Sequence, residues 1–266
     1  METERVSAPA AVRYSAEHGV ARIRLAAPDS GNALNRALLS GLLEALREAE
    51  STAGIRVVVL EAEGAEFCRG LDLNEVLSAA GALDLEPARL FLRALSQIRG
   101  SARPVLARVE GPVTGGGLGL VAACDLVLAR REAVFMLPEA LLGLLPALIT
   151  PFLLRRITPA RLQFLALSTR SFRAVSALTF GLIDEVVEGS MEDAERVHLK
   201  RLRRSAPDAL AECKRYIDAM NGEDLNRQCD AALERFSSWM RRPEVRDGLR
   251  RFAEGHCPSW FEGGRA

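Results

Sequence analysis

The chain has 266 residues, 48% hydrophobic and 26% charged, the balance of a globular protein with a sizeable core. Basic and acidic residues number 35 each, so the formal net charge is zero and a nucleic-acid footprint built on general basicity is excluded, though a local patch is not. The five cysteines are odd in number and form no CxxC pair, which argues against a disulfide framework or a zinc site and fits a reducing cytosol.

The opening segment METERVSAPA carries acids and no apolar core, so it does not read as a secretory signal. No run of 18 uncharged apolar residues occurs to span a bilayer. The expectation is a cytoplasmic protein with neither a membrane nor a nucleic acid as partner. Residues 1–9 read as a flexible tail. VRYSA and VARIRL alternate around Glu17-His18-Gly19, which predicts a β-hairpin from Val12 to Leu25. Pro28-Asp29-Ser30-Gly31-Asn32 reads as a turn. Leu38, Leu39, Leu42, Leu43, Leu46 and Ala49 share one face of a helix. The β-branched run from Ile55 to Leu60 predicts a buried strand. Helices over Leu71–Ala80 and Pro87–Ile98 follow, with strands over Val105–Val109 and Asp125–Ala129. Helix and strand thus alternate from residue 33 to 130, which predicts α/β crossovers.

Beyond residue 138 the pattern turns helical. Ser205 is the predicted N-cap of a helix through Met220, with Asp208 adding negative charge to its first turn. Leu225, Cys229, Ala232, Phe236 and Met240 form the stripe of the next helix. Val245, Leu249 and Phe252 form that of a last one, ended by Gly255. Such stripes need the core or another subunit to cover them.

Two strands run through glycine toward a helix. One continues as Glu66-Phe67-Cys68-Arg69-Gly70-Leu71-Asp72-Leu73, the other as Gly111-Pro112-Val113-Thr114-Gly115-Gly116-Gly117-Leu118-Gly119. Glycine lets the backbone approach a ligand, and a helix N-terminus leaves free N–H groups. Two such groups converging on one carbonyl oxygen make an oxyanion hole. Taken singly, each turn is better explained by close packing. Neither fits the dinucleotide or Walker phosphate-loop spacing. Glu139 is the only charge between Glu132 and Arg155. A carboxylate in apolar surroundings holds its proton near neutral pH. A first-turn residue after Pro138, favoured by the helix dipole, explains it equally well. His18, His198 and His256 are scattered and neighbour no nucleophile motif. Cys68 suits packing better than reactivity, and Asp125 a buried hydrogen-bonding role. Arg69 would suit a free carboxylate or simply solvent. The cluster Lys200, Arg201, Arg203 and Arg204 is a solvated helix face or a contact for an acidic carrier protein.

Taken jointly and in order, five segments resemble the enoyl-CoA hydratase/isomerase (crotonase) superfamily. They are Asn32-Ala33-Leu34-Asn35, FCRGLDL, the GGG turn with AACDLVLA, Pro138-Glu139 and PEVRDGLRRF from Pro243. The resemblance runs from about residue 10 to 255. It implies an α/β fold, a crotonase-like spiral of ββα turns over residues 10–195, with a C-terminal helical oligomerisation region over 196–266 that builds a homotrimer or hexamer. It implies that the N–H groups of Leu71 and Gly116 hold a thioester oxygen, that Glu139 is the acid/base, and that Ala33, Leu34, Cys68, Arg69, Gly70, Asp72 and Gly115 surround the substrate. It implies no metal or redox cofactor; coenzyme A or phosphopantetheine arrives with the substrate, an acyl-CoA or an acyl carrier protein. Simple hydratases of the superfamily carry a second glutamate where this chain has Gly119, so plain two-carboxylate hydration does not fit. FCRGLDL, GLGLVAACDLVLA and LLGLLPALITPFLLRRI are similar to the dehydratases of polyketide β-branching cassettes, which remove water from 3-hydroxy-3-methylglutaryl groups on a carrier protein. The alternatives are a double-bond isomerase, a hydratase, or a non-catalytic binding member of the superfamily.

Overall fold

The computed structural model describes residues 11–77, 83–222, 224–258 and 260–261; the expected tail at 1–9 lies outside them. The hairpin forms where alternation places it. β1 (Val12–Glu17) pairs antiparallel with β2 (Val20–Leu25), and His18 and Gly19 between them both take positive φ. From β2 onward every pairing in the large sheet is parallel, so each return needs a crossover. α1 (Arg36–Ser51) is capped by Asn35, whose side chain accepts from the Leu38 N–H, and it buries the predicted leucine face. β3 (Val57–Ala62) follows, two residues later than the expected strand. The helix expected over Leu71–Ala80 is a single turn, α2 (Leu73–Val76); residues 78–82 lie outside the described ones. α3 (Glu86–Gly100) then leads to β4 (Val105–Val109).

The next turns of the chain each contribute to two sheets. β5 (Val113–Thr114), α4 (Gly116–Ala123), β6 (Leu126–Arg130) and β7 (Val134–Met136) are followed by a 3₁₀ turn over Glu139–Leu142. α5 (Thr150–Leu153), α6 (Pro159–Ser168), β8 (Phe172–Arg173), α7 (Ala174–Phe180) and β9 (Glu185–Val187) complete the core. The larger sheet runs β1-β2-β3-β4-β6-β9 and the smaller β5-β7-β8. This is the expected spiral: the chain adds strands in order and never returns to an earlier neighbour. All eight residues of α4 are buried, so the helix that follows the GGG turn sits at the centre.

α8 (Met191–Leu202) covers the outer face of the larger sheet through Met191, which packs with Val59, Leu106 and Leu128. Arg22 bonds both Glu61 and Glu195, tying α8 to β2 and β3. The expected division after residue 195 falls inside α8. In α9 (Pro207–Met220) the expected cap is displaced. Ala206 holds the N-cap position, Pro207 pre-sets the first helical φ, and the Ser205 hydroxyl donates to the Arg201 carbonyl instead. α9 buries no residue, and Tyr216, Ile217 and Met220 are exposed. Ion pairs Arg99–Asp218 (3.0 Å) and Lys214–Asp125 (2.6 Å) hold it to the core. α10 (Leu225–Met240) buries Cys229, Ala232, Phe236 and Met240, as its stripe predicts. α11 (Pro243–Ala253) buries Val245 and Leu249, but Phe252 in its final turn is exposed because the helix packs through its middle. No helix among the described residues is long and apolar enough to cross a membrane. No cluster of three His, Cys, Asp or Glu suited to a metal occurs among them.

Candidate active site

The two glycine turns meet. A Cβ built on Gly116 would lie 3.2 Å from the Leu71 nitrogen, and one built on Gly70 would lie 3.0 Å from the Gly116 nitrogen. Only glycine fits at position 70, whereas a Cβ at position 116 would be tight against Leu34 and Phe91. Gly70 has φ +98° and Gly115 has φ +52°, both in the region that L side chains avoid. Each of the two donor peptides is held by its carbonyl end. The Gly70 carbonyl accepts from Leu34 N–H (2.8 Å), and the Gly115 carbonyl accepts from Leu118 N–H (2.9 Å). In a planar trans peptide the N–H points opposite the C=O. Fixing these carbonyls therefore aims the Leu71 and Gly116 N–H groups, and neither donates to an acceptor among the described residues. Gly116 is also the first residue of α4, where an N–H has no intrahelical partner.

Both amides border a cavity of about 90 Å³. Leu73, Phe91, Leu142, Leu144, Leu145, Leu148, Ile149 and Phe236 line it, with Glu139 and Arg69 its only charged residues among those described. Glu139 as a whole is half-buried, but its carboxylate is enclosed: Oε2 is buried without a hydrogen-bond partner. Oε1 lies 3.3 Å from where a Gly115 Cβ would be, so a side chain there would crowd it. Burial pushes the carboxyl up to about 7, opposed in part by a backbone hydrogen bond. Both readings of Glu139 hold at once: it opens the 3₁₀ turn, and its acid group faces an apolar chamber.

The place of the missing second glutamate is filled. A Cβ on Gly119 would meet Ile149 Cγ2 at 2.5 Å and Phe91 Cζ at 3.2 Å. Ile149 and Phe91 occupy the volume that a second carboxylate beside α4 would need.

The other expected site residues divide. Gly70, Gly115 and Arg69 line the cavity. Leu34 backs it: its Cδ1 lies 3.1 Å from the built Gly116 Cβ, and its backbone aims the Leu71 amide. Ala33 and Cys68 are not among the lining residues. Cys68 is fully buried, its Sγ donating to the Asn32 carbonyl at 3.3 Å, and burial pushes its thiol up to about 12, which leaves a packing residue rather than a nucleophile. Asp72 is the α2 cap, accepting from Asn74 N–H, and it too lies outside the lining. Arg69 is held by Glu66 through two hydrogen bonds of 3.1 and 2.5 Å. Asp125 is structural, accepting from Val105 N–H and Lys214. His198 pairs with Glu185 (2.7 Å), and no histidine lines the cavity. The basic cluster on α8 opens on a different groove.

Sequence reasoning missed Asn32. It is fully buried with φ +52°; its Oδ1 accepts from Ala27 N–H, and its Nδ2 donates to the Glu63 and Glu66 carbonyls. It fastens the loop that presents Leu34 to the loop that presents Gly70. A buried asparagine inside a turn motif was the available signal. Phe236 was read as core, yet it brings α10 to the cavity wall.

A spiral fold thus brings two converging free amides and one enclosed carboxylate to a single apolar cavity. The sequence pattern of the enoyl-CoA hydratase/isomerase family matches residues 15–263, and the chain belongs to that family. Bacillaene synthase dehydratase PksH of Bacillus subtilis (strain 168) is 30% identical over 245 residues, 91% of this chain and 93% of that protein. YngF of the same strain, named as an enoyl-CoA hydratase/isomerase, is 37% identical over 131 residues; the match spans 49% of this chain and half the length of YngF (50%). A crystal structure of an enoyl-CoA hydratase from Mycobacterium avium superposes with a TM-score of 0.85 at 32% identity, covering 96% of this chain and 100% of that one.

Proposed function

We propose that this protein is a hydro-lyase that dehydrates a 3-hydroxyacyl thioester, namely 3-hydroxy-3-methylglutaryl-carrier protein to 3-methylglutaconyl-carrier protein, in polyketide β-branching. The observation that carries the reading is the single enclosed carboxylate, Glu139, with Ile149 filling the place of a second one. The near-full-length similarity to PksH points the same way. The Leu71 and Gly116 N–H groups hold the thioester oxygen. Glu139 takes the proton next to the carbonyl, and the negative charge moves onto the oxygen that the two amides face. The enolate then expels the β-hydroxyl, which takes the proton back from Glu139 and leaves as water. Glu139 ends as it began. The pantetheine arm belongs to the substrate, and the chain's own residues supply the rest. The cytoplasm and a homotrimeric or hexameric assembly fit this role. The test is intact mass of the carrier protein after incubation with the enzyme: loss of one water is expected.

A specific observation favours a second reading. The cavity lining is apolar, and its one cation is already paired with Glu66. That suits a plain alkyl chain and a double-bond isomerase. If the hydroxymethylglutaryl substrate returns unchanged while a 3-enoyl thioester becomes the 2-enoyl form, the isomerase reading replaces the first. Arg69→Gln separates the two further. If Arg69 meets the substrate's free carboxylate, the variant raises KM for the hydroxymethylglutaryl thioester by about tenfold, the weight of one charged hydrogen bond, and leaves a neutral 3-hydroxybutyryl thioester unaffected. An equal effect on both substrates removes Arg69 from carboxylate recognition.

A further inference from the structure

The chain has two tryptophans, and both grip the same short turn. Trp239 Nε1 on α10 donates to the Gly143 carbonyl at 2.8 Å, and Trp260 Nε1 donates to the Leu141 carbonyl at 3.2 Å. The Trp260 ring lies between two glycines. A Cβ on Gly143 would stand 2.6 Å from its Cη2, and a Cβ on Gly248 of α11 would stand 2.1 Å from the same atom. The Arg242 guanidinium stacks on the Trp239 ring, 4.3 Å from its centroid.

The gripped turn is Glu139–Leu142, which carries the carboxylate. No residue of the turn is fully buried: Leu142 packs partly against the core and Glu139 turns its carboxylate inward, while Ala140 and Leu141 are exposed. No side-chain partner orients the carboxylate: Oε2 is unbonded. The direction of the acid group therefore follows from where the backbone of the turn sits. Internal bonds close the turn, with Gly143 N–H on the Ala140 carbonyl and Leu144 N–H on the Glu139 carbonyl, but they do not fix it to the rest of the molecule. Besides the packing of Leu142 and the buried flanking residues Leu137 and Leu144, the two indole N–H groups tie the backbone at this turn to distant parts of the chain.

We propose that Trp239 and Trp260 are positioning residues, which hold the Glu139 turn against the cavity and make the C-terminal segment part of the catalytic apparatus. The inference rests on Glu139 being the acid/base. Two placements meet here: a catalytic turn with no fully buried residue, packed only in part through Leu142, and two long-range donors that reach its backbone from separate parts of the chain.

The experiment is steady-state kinetics of Trp239→Phe and Trp260→Phe, which keep most of the ring and delete the donor. Each is expected to lower kcat by about 10- to 10²-fold, the cost of a misplaced catalytic group, with KM little changed. The acid limb of the kcat/KM–pH profile should move to lower pH, because a loosened turn admits water to Glu139 and relieves the burial that raises it. A fall in melting temperature with kcat and the acid limb unchanged would show a structural role only and overturn the proposal. Glu139→Gln is assayed alongside. Should it keep full turnover, the acid/base reading fails, and the emission of the single-tryptophan variants then decides the grip. Binding of a butyryl-carrier-protein thioester, which has no hydroxyl to lose, should change that emission. Unchanged emission at saturation overturns the grip as well.

Discussion

Glu139→Gln loses activity by roughly 10²-fold or more, the usual size of a lost general acid/base, and at the same time stabilises the fold above neutral pH. The two effects have one cause. Burial holds the carboxyl up to about 7, well above its value in an unfolded chain. A raised carboxyl is a group whose charged form the fold disfavours. Its contribution to stability is complete below the unfolded value and is lost as pH rises through about 7. At about 1.4 kcal/mol for each tenfold of protonation, ionised Glu139 costs on the order of 3 kcal/mol at pH 8. Glutamine fills the same volume without the charge. Urea denaturation should therefore show the variant more stable than the parent at pH 8, with the gap shrinking to under about 1 kcal/mol at pH 5. A gap that does not vary with pH would place the carboxylate in contact with water. In the parent, kcat/KM should rise with pH through about 7, because the base must first lose its proton.

Gly116→Pro removes one of the two converging donors and lowers turnover by about 10²–10³-fold, the weight of one oxyanion-hole N–H. Position 116 opens α4, where proline is otherwise well tolerated. The complication is space: a Cβ there meets Leu34 Cδ1 at 3.1 Å and Phe91 Cζ at 3.3 Å. Gly116→Ala carries the same Cβ and keeps the N–H, so the activity ratio of the two variants isolates the donor. Circular dichroism checks that both fold. Equal activities would remove the Gly116 amide from the chemistry.

The spiral and the donor turns were legible because they rest on local rules. β-branched runs mark strands, leucine spacing marks α1, and glycine after a strand marks a close backbone approach. Glu139 stood out by isolation in an apolar run. What long-range packing decides was not legible. That Ile149 fills the space beside Gly119 depends on α5 crossing α4. That Phe236 walls the cavity depends on where α10 docks. The cap and first turn marked the α9 helix, but not that ion pairs of Asp218 with Arg99 and Arg155 and of Lys214 with Asp125 would hold it in place of buried side chains, because those partners are distant in sequence. Ser205 lost the cap to Ala206 since Pro207 fixes the first turn by itself.

The groups that face the cavity come from separate stretches of the chain. Leu71 and Gly116 present main-chain N–H groups, whereas Leu142, Leu144, Leu145, Leu148 and Ile149 present side chains from one run downstream of Glu139. The two amides and most of the apolar wall are thereby carried on different segments. Substitutions confined to that single run would reshape the wall of the cavity and leave the two amides where they are.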